Sequence, residues 1–233
     1  MNLSFFYELN RFVKRKEKQC FLVENTNFIN LAEQYELKAI EKFTTSKILG
    51  YKTITPKEMS KITGNNFIKE VAIFENFKNK IEENQSLIVL DQVKDLGNIG
   101  TIIRTCYAFG FFNIIFLQED SDIYHHKVFE ASRGLIFKVK PMVMNKEQFF
   151  NKIKLENYFI LGGHMYGTDI NKHDIKKIQE KNIMIIFGNE SFGISEDLKN
   201  IIEEYITIKT DFESLNVAVA SGIILNAFKY KNI

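Results

Sequence analysis

At 233 residues, 45% hydrophobic and 26% charged, the chain has an ordinary globular composition, with room for one large domain or two small ones. A formal charge of +2 supplies no overall field for nucleic acid, and two cysteines are too few for a disulfide framework or a zinc site. The densest apolar stretches, such as Gly110–Leu117 (GFFNIIFL), fall far short of the ~20 residues that span a bilayer. No basic stretch followed by an apolar core opens the chain, so no secretory signal is expected, and Cys20 and Cys106 as free thiols suit a reducing cytoplasm.

Residues 1–82 read as a small α/β module. They hold 14 Lys/Arg against 10 Asp/Glu, a net +4, which leaves 17 against 19, a net −2, for the remainder. Much of the excess lies in Arg11–Lys18 (RFVKRKEK), where five cations face Glu17; such a run is either a solvated face or a phosphate-contacting arm. Cys20–Glu24 is predicted as a strand, Asn27–Tyr35 as a helix with Asn27 as its cap, and Leu37–Phe43 as a half-buried strand. Thr55 followed by Pro56 starts a helix through Ile62. Glu70–Phe74 is a further strand, and the polar run Phe77–Gln85 is the expected linker.

From Ser86 the pattern becomes regular. Strands are predicted at Leu87–Leu90, Asn113–Leu117, Ile136–Val139, Tyr158–Leu161, Asn182–Phe187 and Tyr205–Ile208. Helices are predicted at Asn98–Phe109, near Lys127–Ser132, and at Lys146–Lys154, Ser195–Glu203 and Ser214–Lys229. Strands alternating with helices imply α/β architecture: a parallel sheet covered on both faces, preceded by the smaller N-terminal module. The expected domains are therefore 1–82 and 83–233.

Three loops follow three of these strands, and open α/β sheets bind ligands outside the carboxyl ends of their strands. In the first, Asp95, Gly97 and Asn98 supply turn chemistry, with Asn98 as the expected N-cap. The helix behind it buries Ile99, Ile102, Ile103 and Cys106 and carries one strong cation, Arg104, either a solvent-facing residue or a functional guanidinium. In the second, Gly188 and Gly193 flank Glu190. Asn189 stands where a nucleophile elbow around Ser191 needs glycine, and no Lys follows Gly193 as a phosphate loop requires, so a plain turn into a Ser195-capped helix is the competing reading. The third places Ser214 and Asn216 at a helix start, and Ala218, Ser221 and Gly222 make one face of that helix small, for core packing or a subunit interface. Ile160–Gly167 is a strand with a Gly-bearing turn that lacks the full dinucleotide pattern. His125 and His126 are adjacent and far from His164 and His173, so no metal site is expected.

Together these segments resemble a known family. Asn98-Ile99-Gly100 with Arg104-Thr105 and Phe109-Gly110, then Gly188-Asn189-Glu190 with Gly193-Ile194-Ser195, then Ser214-Leu215-Asn216-Val217, resemble in order the three motifs of the SpoU (TrmH) family of RNA ribose 2'-O-methyltransferases. Glu130-Ala131-Ser132-Arg133-Gly134 is similar to a Ser-x-Gly element of that family, and residues 1–82 resemble, more weakly, the RNA-gripping domain of its ribosomal-RNA members. The resemblance implies a C-terminal trefoil knot, a homodimer and S-adenosylmethionine as cofactor. It implies Gly188, Ile206 and Leu215, with Gly162 and Gly163, at the cofactor pocket, and Asn98, Arg104, Glu190, Ser214 and Asn216 as polar active-site residues. Thr207-Ile208 stand where Pro-Met is usual, Leu96 where Pro is frequent, Ser191 where Gly is frequent and Ala218 where Ser is frequent.

The implied activity is methylation of a ribose 2'-hydroxyl, in ribosomal RNA because of residues 1–82. Transfer-RNA methylation, base methylation or a nucleotide-dependent enzyme on a similar sheet, and an RNA-binding protein without turnover are the alternatives. The implied role of Arg104 is to activate that hydroxyl. A guanidinium is a poor base at neutral pH, so clamping charge on the developing alkoxide and adjacent phosphate ranks ahead of proton abstraction.

Overall fold

A computed structural model describes residues 2–82, 85–118, 122–172, 182–211 and 214–229. The predicted residue His173 and loop residue Glu213 lie outside the described residues.

The larger sheet has six parallel strands: β5 (Leu87–Asp91), β6 (Asn113–Leu117), β7 (Met142–Met144), β8 (Tyr158–Asp169), β9 (Asn182–Phe187) and β10 (Glu204–Thr207), in the order β10-β8-β9-β5-β6-β7. Its central strands are uninterrupted apolar runs because both faces are covered. Ile88 and Leu90 of β5 belong to one hydrophobic cluster, Leu87 and Val89 to the other, and β6 and β9 alternate likewise. Helices α4 (Leu96–Ala108), α5 (His126–Ala131), α6 (Ile136–Val139) and α9 (Val217–Phe228) bury side chains in the first cluster; α7 (Lys146–Lys152) and α8 (Glu196–Lys199) bury theirs in the second.

The smaller sheet contains β1 (Cys20–Val23), β2 (Ala39–Thr44), β3 (Lys52–Thr53) and β4 (Glu70–Glu75), in the order β1-β4-β2-β3, antiparallel except for β2–β3. One face buries Cys20, Leu22, Val71 and Ile73 with Phe6, Met59 and Ile62. The other face, with Phe21, Val23, Ala72 and Phe74, joins Phe129 and Phe137 of the larger unit in one cluster. The Phe21 ring stacks on Tyr124, centroids 4.5 Å apart, and the Tyr124 hydroxyl accepts from the Phe77 N–H at 2.9 Å.

Several local expectations are corrected. The basic run, for which no element was predicted, is helical: α1 spans Phe12–Lys18. Asn25, not Asn27, caps α2 (Thr26–Gln34), and Asp95, not Asn98, caps α4, its Oδ1 accepting from the Asn98 N–H at 2.7 Å. Ile136–Val139 is a short helix rather than a strand; three apolar residues around Lys138 are too few to carry a periodicity that separates the two. The Ser195 helix ends at Lys199, and the final helix begins at Val217 with Asn216 as cap. At α3 (Pro56–Thr63) the expected start holds, and Thr55 and Glu58 complete a capping box.

Candidate functional site

The site begins at the carboxyl end of β5. The Asp91 side chain is buried, and its Oδ2 accepts from the Ser195 backbone N–H at 2.7 Å. Asn189 Nδ2 donates to the Gln92 carbonyl at 2.8 Å, while Asn189 Oδ1 accepts from the Ser191 and Phe192 N–H groups. These bonds tie the loop after β9 to the loop after β5. Within that loop Asn189 and Gly193 exchange backbone bonds of 3.0 and 2.9 Å. The closure explains Gly188: a Cβ there would collide with the Gly193 and Ile194 backbone.

With Asp95 as cap, the Asn98 side chain is free to reach across the site. Its Nδ2 donates to Glu190 Oε1 at 2.8 Å, and its Oδ1 accepts from Asn216 Nδ2 at 3.0 Å. Asn216 Oδ1 in turn accepts from the Ala218 and Val219 N–H groups at the start of α9. One chain of polar groups thus joins all three sequence segments, and each amide uses both its donor and its acceptor side.

A cavity of about 700 Å³ opens beside this chain. Gly163, His164, Met165 and Gly167 line it from an irregular stretch of β8, where pairing with β10 shifts register between Tyr205 and Ile206. The Thr207 hydroxyl donates to the Met165 carbonyl at 3.1 Å and pins that stretch. Gly188, Glu190, Ile206, Ser214, Leu215 and Asn216 are also in the lining, together with Lys209 and Asp211. The walls therefore combine apolar surface with both signs of charge, in a volume suited to one small-molecule ligand.

Two expected residues are elsewhere. Gly162 does not line the cavity; one residue from Gly163 along the strand, it meets Ile202 and Tyr205 instead. Arg104 is exposed on α4, outside the cavity lining, and no hydrogen bond or ion pair holds it among the described residues. The sequence does not single out Asp91 and Gln92, its one signal being an acid ending the buried run of β5; Asp95 and Asn189 stand in it as a turn residue and a motif residue, without their roles as cap and loop tie. Among the described residues no cluster of three or more His, Cys, Asp or Glu side chains is placed to hold a metal ion.

Residues 85–226 match the family model described as SpoU rRNA Methylase family. An uncharacterized tRNA/rRNA methyltransferase of Borreliella burgdorferi is 31% identical over 226 residues, covering 87% of this chain and 97% of that protein. The 23S rRNA (guanosine(2553)-2'-O)-methyltransferase RlmP of Bacillus subtilis is 29% identical over 150 residues, covering 63% of this chain and 58% of that protein. Among solved structures, the SpoU methyltransferase AviRb of Streptomyces viridochromogenes, in complex with the cofactor AdoMet, superposes with a TM-score of 0.81. The two are 18% identical over 98% of this chain and 97% of that one, a likeness of fold.

Proposed function

The chain belongs to the SpoU rRNA methylase family and is an RNA methyltransferase that uses S-adenosylmethionine; from that membership we propose that it methylates a ribose 2'-hydroxyl of ribosomal RNA. The observation that carries the reading is the Asn216–Asn98–Glu190 chain at the mouth of the 700 Å³ cavity. RlmP of Bacillus subtilis and the Streptomyces azureus enzyme, both named as 23S rRNA 2'-O-methyltransferases, support ribose chemistry and ribosomal RNA.

The residues present fit the cofactor. Ile206, Leu215, Gly163 and Gly188 would hold its apolar and planar parts, and Lys209, Asp211 and Glu190 offer charges complementary to its carboxylate and cationic groups. When bound, it supplies a methyl group already activated on a sulfonium. Methylation of a ribose hydroxyl would also require its proton to pass to water. The protein's share is to align the hydroxyl in line with the methyl group, an alignment worth several kcal/mol. Asn98 and Asn216 orient the nucleotide, Glu190 fixes the Asn98 amide, and Ser214 is a further polar group of the lining.

Arg104 stabilises the developing oxyanion and clamps the neighbouring phosphate. Because it lies outside the cavity of its own chain, the reading includes a homodimer in which Arg104 of one copy serves the cavity of the other. The C-terminal trefoil knot belongs to the same reading, as the family membership implies. The test is methylation of unmodified ribosomal RNA, followed by nuclease digestion and mass spectrometry. Ribose-methylated nucleosides are expected; methyl groups on bases, or none, overturn the reading. Mixing Arg104→Ala with Asn216→Ala chains is expected to restore activity that each lacks alone.

A further inference from the structure

The turn between α5 and α6 packs on α4, the helix that carries Asn98, and on α2 of the N-terminal module. Ser132 is fully buried at the end of α5, and its backbone N lies 2.9 Å from where a Cβ on Gly100 of α4 would stand. Gly134, two residues on, packs against Leu31 and Phe28 of α2, again with no space for a Cβ. Between them stands Arg133, exposed, with φ +53°.

The turn has the hydrogen bonding of a Schellman end: the Gly134 N–H reaches the Phe129 carbonyl at 2.8 Å and the Arg133 N–H the Glu130 carbonyl at 3.0 Å. Glycine is the favoured residue at the Arg133 position of such a turn, because a Cβ there is strained at positive φ. Arg133 thus holds a left-handed conformation at a helix end, as Gln19 and Lys140 do after α1 and α6. Its guanidinium makes no ion pair or hydrogen bond among the described residues, although Glu130 precedes it by one turn. Lys138 on α6 stands along the same seam, its Nζ 5.7 Å from the Tyr35 ring centroid of α2. The nearby acid Glu33 of α2 is bonded to Lys42 at 2.9 Å.

The basic run Arg11–Lys18 presents the opposite case. Arg11 pairs with Glu8, Lys14 with Glu17 and Arg15 with Asp122, and Lys18 donates to the Phe5 and Tyr7 carbonyls. That run is largely occupied by internal contacts, whereas the Arg133 guanidinium has no partner among the described residues.

We propose that Arg133, with Lys138 on α6, binds a backbone phosphate of the RNA substrate along the seam between the N-terminal module and the helices of the larger sheet. The inference rests on the reading of the protein as an RNA methyltransferase, and names a contact between its two halves. A phosphate held there would fix the strand between whatever the module grips and the nucleotide at Asn98.

Arg133→Gly separates this role from a structural one, because glycine relieves the backbone while removing an exposed side chain whose guanidinium has no partner among the described residues. The variant is expected to keep or raise its melting temperature and to bind S-adenosylmethionine as the parent does. Its affinity for unmodified ribosomal RNA should fall about 5- to 10-fold, with the slope of log K against log salt shallower by roughly 0.7 to 0.9. Arg133→Lys should restore most of that slope. Unchanged affinity and slope in Arg133→Gly would overturn the proposal, as would a failure of the parent protein to bind RNA. Parent protein that binds RNA but leaves no methyl on ribose instead refutes the catalytic reading while the Arg133 comparison still reads out.

Discussion

Asn98 shows how much of the site depends on a single choice of hydrogen-bond partner. An asparagine at a helix start would ordinarily serve as its own cap. Here Asp95 takes that duty, and the Asn98 amide spans Glu190 and Asn216. The two roles separate by mutation. Asp95→Ala should cost about 1 kcal/mol of stability, read as a shift in the urea midpoint, with little change in turnover at low temperature. Asn98→Ala leaves the cap intact but removes both cross-site bonds, one of them to a carboxylate. Its methyl-transfer rate should drop roughly 10- to 100-fold while the midpoint barely moves. Arg104→Ala is expected to abolish methyl transfer and leave cofactor affinity, measured by calorimetry, within about twofold, since Arg104 is outside the cavity. Equal turnover by the variant and its parent would remove Arg104 from the chemistry.

At the level of elements, α1 and the loop after β9 are each held by one buried charge. Arg15 is buried on α1, bonded to the Leu9 carbonyl at 2.6 Å and paired with Asp122 across the interface between the two sheets. Its truncation strands the largely buried Asp122 carboxylate. Arg15→Ala should therefore destabilise the protein by about 3–5 kcal/mol, whereas Lys14→Ala, whose exposed pair with Glu17 is worth little, should stay within ~0.5 kcal/mol. Denaturant melts of the two variants check this, and similar losses would show that the run acts as one solvated face. Asp91 plays the matching part for the loop after β9, holding Ser195 from the end of β5.

Over the whole molecule the two sheets share one core. Phe21 sits at its hub, with the rings of Phe74, Phe77, Tyr124, Phe129 and Phe137 between 4.5 and 6.4 Å away. Phe21→Ala should cost about 3–5 kcal/mol and lower the melting of both sheets together in one transition. The same hub gives an alkaline limit. Burial pushes the Tyr124 phenol well above its ordinary value near 10, and burial likewise raises the Cys106 thiol above its ordinary value of 9.0. For both groups the fold favours the neutral form, so their contribution is complete below the unfolded values and is lost as pH rises past them. Stability is expected to decline from about pH 9 upward, and less steeply in Cys106→Ala. Urea midpoints at pH 8 and pH 10 measure the difference.

What the sequence determined by itself was local or repetitive: apolar runs long enough for a parallel sheet, the Thr55-Pro56-Glu58 helix start, and three polar segments at strand ends. Such features depend on neighbours within one turn or one strand. The tertiary structure decided which donor each acceptor received. The Asn98 amide meets residues 92 and 118 positions away, Arg15 meets one 107 away, and nothing in their local patterns selects those partners. The same holds for Gly162 and Gly163, adjacent in sequence but placed on opposite sides of β8, and for Ile136–Val139, whose burial is equally consistent with strand or helix until α2 and α4 pack around it. Hydrophobic period fixes the class of an element; only the assembled chain, by removing water from competing polar groups, fixes their pairing.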